Sequence, residues 1–387
     1  MLEELENRDK HLIEQAITPT SSIREAHVGM PILAQRSRAL AFFEFWPSSI
    51  VYLPIVVQWL FKAVRYRGLT LPLCANPGFY LGGLVGESKA ENFRQAGDYA
   101  RQFIAPWCRV VNDGVNSKRL LTKTLREMNI EGLSFPLIAK PDMGCRGRGV
   151  RIVRDRMELA EYLQQFPEKA SVILQELIPW EPEAGIFYIR RPDEQKGRIF
   201  SLTLKYQPYV YGNGVDSLQT LIEQDPRAGK LAHLYLGRHR KYLNEVLEPG
   251  QPFRLAFTGS HSLGSIFRDG RDLITEELTE AFDRISRDID GFYFGRFDVR
   301  FAHERSLRAG KDFRIVEING ISSEAGHIWD ADSSLKEVYK TLFHQYDMLF
   351  EIGAINRKRG YKPESLIQVL QSWAKETRLV RRYPDAE

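Results

Sequence analysis

The stretch GRFDVRFAHERSLRAGKDFRIVEING, residues 295–320, decides how the rest of this chain is read. Two strands are predicted around it, Phe292 to Phe301 and Phe313 to Asn319, joined by the charged run His303 to Lys311. Side chains two apart on a strand share a face, so Arg296 goes with Asp298 and Glu317 with Asn319. Paired as a hairpin, the strands bring Asp298 and Glu317 within about 5–6 Å across the ladder. Two carboxylates at that distance repel unless a cation lies between them, and the amide oxygen of Asn319 completes an all-oxygen set suited to Mg2+. Taken singly, each of these groups reads first as a solvated strand-face residue. The acid on one strand followed by E-x-N-G on the next is much harder to produce by chance.

Upstream, Phe135 to Lys140 reads as a strand, Pro141 to Gly149 as a loop, and Val150 to Val153 as a second strand. Asp155 with Glu158 three residues on marks a helix start, and Met157, Ala160, Leu163 and Phe166 form its apolar stripe. Ser171 to Ile178 is strand-like again, which completes a small α+β unit. Its loop, Met143-Gly-Cys-Arg-Gly-Arg-Gly149, joins strand to strand, so it is neither a P-loop nor a Rossmann turn. Three glycines with two arginines after Lys140 suit a phosphate cover, because backbone N–H groups can approach the oxygens while cationic heads neutralise them. Cys145 reads as a small loop residue, since nothing nearby supplies a base. Further along, Phe200, Leu202 and Leu204 alternate as in a half-buried strand, and Leu278, Phe282, Ile285 and Ile289 share a helix face. A polar insertion spans about 207–253. In the N-terminal part, Asn76 to Lys89 is Gly-rich and reads as a structural loop, with Glu87 and Lys89 as its ligand-capable residues.

Composition bounds the rest. The 387 residues suffice for two or three packed units, and 43% hydrophobic with 27% charged residues excludes a disordered or fibrous chain. Lys and Arg total 54 against 50 acids, an excess of only +4 that gives no basis for a nucleic-acid partner. Three separated cysteines, Cys74, Cys108 and Cys145, and an acidic N-terminus without an apolar leader lead to the expectation of a reducing, cytoplasmic setting. Phe45 to Phe61 (FWPSSIVYLPIVVQWLF) is 17 residues without charge, followed by Lys62, Arg65 and Arg67. Its readings, in order, are a buried core segment, an interfacial element giving peripheral membrane contact through 45–67, and a span.

The order of these motifs over about residues 116–335 resembles the ATP-grasp superfamily, which includes D-alanine–D-alanine ligase, glutathione synthetase and cyanophycin synthetase. The resemblance implies an α+β fold in which two α+β subdomains clamp ATP, here as 116–195 with the Gly-rich loop and 196–350 with the magnesium site. An N-terminal unit of uncertain type, 1–115, and a basic helical tail, 351–387, flank them. It implies ATP contacts from Lys118, Lys140, Gly144, Arg146, Gly147, Arg148 and Gly149, from Glu176, Leu177 and Ile178 at the adenine hinge, from Glu183 at the ribose, and from Lys205. Asp298, Glu317 and Asn319 match the ligands of two Mg2+ ions. Arg296, with Lys140, matches the catalytic cations that steady an acyl phosphate or tetrahedral intermediate.

The insertion stretch Tyr211 to Ile222 resembles G-D-G-x-x-T-V-x-E-L-I near the acceptor site of amide-forming members, with Asn213 in place of the acid. His261, Arg268, Ser323 and His327 are the candidates for substrate contact. The activity implied is ATP-dependent joining of a small-molecule carboxylate to an amine through an acyl phosphate. The alternatives are a phosphotransferase acting on a hydroxyl or phosphate, and a non-catalytic nucleotide-binding protein. The oligomeric state stays open, a homodimer included.

Overall fold

The computed structural model describes residues 26–33, 40–41, 43–44, 46–114, 116–144, 147–257 and 259–384. Four strands, β1 (Trp107–Val111), β2 (Leu137–Pro141), β3 (Arg151–Val153) and β4 (Ser171–Glu176), form an antiparallel sheet in the order β1-β4-β2-β3. Helices Ser117–Ile130 and Arg156–Gln165 supply the other half of its core, with Leu120, Met128, Leu159 and Leu163 buried against Leu137, Val172 and Leu174. The second helix starts where the sequence places it. The Asp155 carboxylate accepts from the N–H groups of Met157 and Glu158, satisfying two donors that lack intrahelical partners.

The chain then enters β5 (Glu183–Ile189) and β6 (Arg198–Tyr206). A short ribbon, β7 (Tyr209–Tyr211) with β8 (Pro252–Arg254), opens and closes the insertion. β9 (Ile266–Asp269), β10 (Phe294–Phe301) and β11 (Phe313–Asn319) complete a second antiparallel sheet in the order β11-β10-β5-β6-β9. The amphipathic helix Glu276–Arg287 turns Leu278, Phe282 and Ile285 onto this sheet, where they meet Phe297, Val299 and Ile315. The fold is thus α+β, with two antiparallel sheets that contribute to one cleft.

Two segments cross the boundaries drawn from sequence. β1 falls within 1–115 yet is an edge strand of the first sheet, because its backbone pairs with β4 from Trp107↔Gln175 to Val111↔Ser171. The tail does not stand apart either. The helix Leu335–Lys358 straddles residue 350 and packs on the Leu71–Ala75 turn, and Tyr383 stacks on Phe166 at 5.0 Å within the first sheet's core.

The Gly-rich passage 76–89 is a fitted part. Asn76 Nδ2 donates to Phe294 O at 2.6 Å, and its Oδ1 accepts from the N–H groups of Tyr293 and Phe294. Gly83, at φ +81°, lies so close to Gly320 that a Cβ would come within 2.6 Å of its Cα. That contact carries Glu87 and Lys89 to the end of β11.

The segment 45–61 is core on one face only, through Val51 and Ile55. It forms the helix Ser48–Arg65, packed by one face on Leu335–Lys358, and no helix among the described residues is long and apolar enough to cross a membrane. Residue 45 itself lies outside the described residues.

Candidate active site

The register of the second sheet gathers charge on one face. Asp298 stands opposite Glu317 and Arg296 opposite Asn319 across β10 and β11. Arg300 stands opposite Glu183, and Glu183 opposite Lys205. Gly185, opposite Asp298, leaves room for them, since a Cβ there would come within 3.0 Å of Arg296 Cδ and 3.4 Å of Asp298 Oδ1. The strands cannot avoid this clustering, because the period of two that buries Phe297 and Val299 on one side sends Arg296 and Asp298 to the other.

Arg296 grips Asp298 with two bonds, Nε to Oδ1 at 2.8 Å and Nη2 to Oδ2 at 3.1 Å. Lys205 Nζ lies 3.0 Å from Asp298 Oδ1 and 2.9 Å from Glu183 Oε1, and Arg300 Nη2 lies 3.9 Å from Glu183 Oε2. Burial works against the Asp298 charge, but Arg296 and Lys205 outweigh it and hold the carboxyl at about 2. Glu317 is held below its ordinary range in the same way, with burial overcome chiefly by Lys89, whose Nζ is 3.2 Å from Oε1.

The facing sheet contributes Lys140. Its Nζ donates to Gln175 Oε1 at 2.7 Å on β4 and to Val316 O at 2.8 Å on β11, so one ammonium ties the two sheets together. Burial pushes it down to about 8. Lys89 Nζ also donates to Gly144 O at 2.6 Å, at the start of the Gly-rich loop.

These groups open into a cavity of about 920 Å³. Its wall includes the expected Lys140, Gly144, Gly147, Arg148, Glu176, Leu177, Ile178, Glu183 and Lys205, together with Arg296, Asp298, Glu317, Asn319, His261 and Ser323. Lys89, Lys140, Lys205, Arg296 and Arg300 gather around the carboxylates Glu183, Asp298 and Glu317, and Arg148 with Glu44, Glu87, Glu176, Glu324 and Glu376 lines the rest of the cavity. Lysine and arginine heads packed around an acid pair suit a polyphosphate that brings its own divalent cation.

Four expected contacts are not brought to this wall. Lys118 is exposed on the first turn of the helix Ser117–Ile130, where its N–H caps onto Asn116 Oδ1. Gly149 is turned onto Pro141 and Tyr383, and its carbonyl accepts from Tyr162 Oη at 2.7 Å. Arg268 sits on β9, with Nη1 bonded to Phe267 O and 4.0 Å from Asp330. His327 is buried beside Ser201 Oγ, 2.6 Å from Nδ1, and burial lowers its pKa to about 4, so it packs as a neutral ring. Arg146 and Cys145 lie outside the described residues. Glu183 lines the cavity with its carboxylate already committed to Lys205.

The structure also adds residues. Lys89 and Glu87 enter from the N-terminal region; Glu87 Oε1 accepts from Gly320 N at 3.0 Å and Asn92 Nδ2 at 2.6 Å, and burial raises its pKa to about 7. Glu324 lines the same cavity, its carboxylate accepting from Tyr52 Oη at 2.8 Å and Trp329 Nε1 at 3.0 Å. Its hydrogen bonds come from these two neutral donors, and burial raises its pKa despite the nearby charge of Arg296. The sequence pointed at this spot through Ser323 and His327 but passed over the acid between them. Among the described residues no three His, Cys, Asp or Glu side chains group as a metal site. The oxygen set here is two carboxylates and an amide.

No protein-family model matches the chain, and no curated protein matches it. Among solved structures it aligns with a D-alanine–D-alanine ligase from Bacillus anthracis, at 14% identity over 71% of this chain and 69% of that one, TM-score 0.40. It aligns with the VanG D-Ala:D-Ser ligase from Enterococcus faecalis at 13% identity over 69% and 61%, TM-score 0.38. A bifunctional glutathione synthetase from Pasteurella multocida aligns at 15% identity over 66% of this chain, TM-score 0.35, and the chain spans only 36% of that protein's length. Likeness at this distance leaves the activity to be read from the residues. In motif order and in its pair of antiparallel sheets, the chain resembles the ATP-grasp superfamily.

Proposed function

We propose that the chain is an ATP-dependent ligase that activates a carboxylate as an acyl phosphate and joins it to an amine, releasing ADP and phosphate. The observation that carries this reading is the Asp298–Glu317 pair with Asn319 beside it, facing Lys140 and Lys205 in one cavity. Carboxylate and amide oxygens fit a hard divalent cation, and these three side chains would hold Mg2+. When bound, Mg2+ would neutralise the phosphate oxygens of ATP.

The chain's own residues would do the remainder. Lys140 and Lys205 would hold the triphosphate, with Lys89 added to them and Gly147 and Arg148 covering it from the loop. The substrate carboxylate oxygen would attack the γ-phosphorus, the bond to the ADP oxygen would break, and Arg296 would stabilise the oxyanion formed when the amine nitrogen then adds to the acyl carbon. Expulsion of phosphate and loss of a proton from nitrogen would complete the amide. Leu177 and Ile178, buried at the end of β4, would pack the adenine. Glu324 fits the incoming amine, because its carboxylate is hydrogen-bonded only by the neutral donors Tyr52 and Trp329 and, buried, gains from a further cation.

The test is ATP, Mg2+ and hydroxylamine with a panel of amino acids, peptides and fatty acids. A ligase yields a hydroxamate and ADP in equal amounts from the right acid. A stable phosphorylated product without an amine requirement would replace this reading with phosphotransfer, and nucleotide binding without ADP release would replace it with a non-catalytic role.

A further inference from the structure

The helix Ser48–Arg65 is apolar on its outer face as well as its inner one. Two of its polar side chains point inward: Gln58 Nε2 donates to Phe343 O at 2.8 Å and Asp347 Oδ1 at 2.7 Å, and Lys62 Nζ pairs with Asp347 at 2.6 Å. Val51 and Ile55 are its buried aliphatics. Ile50, Leu53, Val56, Val57, Leu60, Phe61 and Val64 are instead 51–80% exposed. Their spacing of three and four residues lines them along one side of the helix. An amphipathic helix in water carries polar and charged residues on that side.

Charge says what covers this face. Residues 45–67 contain no acid, and the helix ends on exposed Arg65 and Arg67. Arg357 donates to Tyr66 O and Arg67 O, which brings the exposed Lys358 and Arg359 at the end of Leu335–Lys358 to the same place. A second copy of the chain would add the same cations and no carboxylate from this segment. An anionic lipid surface supplies both the apolar phase and the missing negative charge. We propose that this face seats the protein on an anionic membrane. The helix lies in the plane of the surface, its apolar side chains among the acyl chains and Arg65, Arg67, Lys358 and Arg359 at the headgroup phosphates. At about 1.5 Å per residue it is roughly 27 Å long, and it lies on the membrane without crossing it. Its other side supplies Val51 and Tyr52 to the cavity wall, so one helix separates that cavity from the lipid.

The experiment is flotation of the full chain through a density gradient with vesicles of phosphatidylcholine, alone or mixed with phosphatidylglycerol. The chain should float with the mixed vesicles. Leu53→Asp with Phe61→Asp should lower binding at least tenfold with thermal unfolding unchanged, since both positions are exposed. Arg65→Ser with Arg67→Ser should lower it about tenfold to thirtyfold on mixed vesicles only, at roughly 1 kcal/mol per cation. Failure to float with either vesicle, or full binding by the Leu53/Phe61 variant, would overturn the proposal. So would sedimentation showing a dimer that this variant dissolves while the chain stays off the vesicles. None of these readouts depends on ligase activity.

Discussion

The charged face of β10 and β11 and the helix Ser48–Arg65 both depart from apolar-in, polar-out packing, in opposite directions. On this face of the second sheet, Asp298 of β10, Lys205 of β6 and Glu183 of β5 are nearly inaccessible to water, each held by an opposite charge within about 3 Å. On the helix, a row of large aliphatic side chains stands in the open while Gln58 and Lys62 face inward. The strand cluster meets its cost inside the molecule, through ion pairs and hydrogen bonds that hold both signs of charge. The helix has no such internal remedy. On the two proposals made above, each departure is a surface shaped for something other than water, a polyphosphate with its cation in one case and a lipid layer in the other.

The hardest blow to the strand side of this comparison is Asp298→Asn. It removes one carboxylate from the oxygen set and leaves Lys205 and Arg296 each short of a partner. Mg2+-dependent ADP release should fall about 10²–10³-fold while near-ultraviolet circular dichroism stays native. Near-normal turnover would remove the metal assignment.

The helix side is sharpened by two truncations two residues apart, on opposite faces of the helix. Ile55→Ala, at 3% exposure, should cost about 2–4 kcal/mol in urea unfolding, and Val57→Ala, at 60% exposure, about 0.5 kcal/mol or less. Equal costs would mean that the apolar face is covered in solution.

A smaller effect tests the buried acid beside β11. Glu87 keeps its proton in the folded chain up to about pH 7, whereas the unfolded chain loses it near the ordinary 4.5. Stability from this group is therefore complete below about pH 4.5, falls as pH rises toward 7, and is level above that. Glu87→Gln should remove that fall, worth about 1–2 kcal/mol between pH 5 and pH 8 after discount for its partial exposure. Denaturant midpoints of both proteins across that range give the answer.

The smallest expected change is Lys118→Ala, less than about twofold in ADP release, since an exposed lysine outside the cavity has no phosphate to hold. A loss as large as that of Lys140→Met would show that the helix start closes onto the nucleotide.

Much of the site was legible because its geometry is local. Alternation within residues 295–320 places Asp298, Glu317 and Asn319 on one face in any antiparallel pairing that keeps Phe297 and Ile318 inside, and the register found is the one with Asp298 opposite Glu317. Lys140 followed in the same way, as the lysine at the end of a strand before glycines. Lys118, Gly149, Arg268 and His327 were harder. Motif spacing says that a lysine, a glycine or a histidine stands near a loop, but not whether its side chain turns to the cleft or to a neighbouring strand.

The sequence by itself determined the strand periods, the capped helix at Asp155, the Gly-rich loop and the acid–acid–amide order, all set by backbone preferences and side-chain alternation over a few residues. Tertiary structure decided the arrival of Lys89 at Glu317, the place of Glu324 under Tyr52 and Trp329, and the outward turn of Leu53 and Phe61. Those depend on which distant surface each segment packs against. Only the folded chain settles that choice, because burial and ion pairing are summed over contacts far apart in sequence.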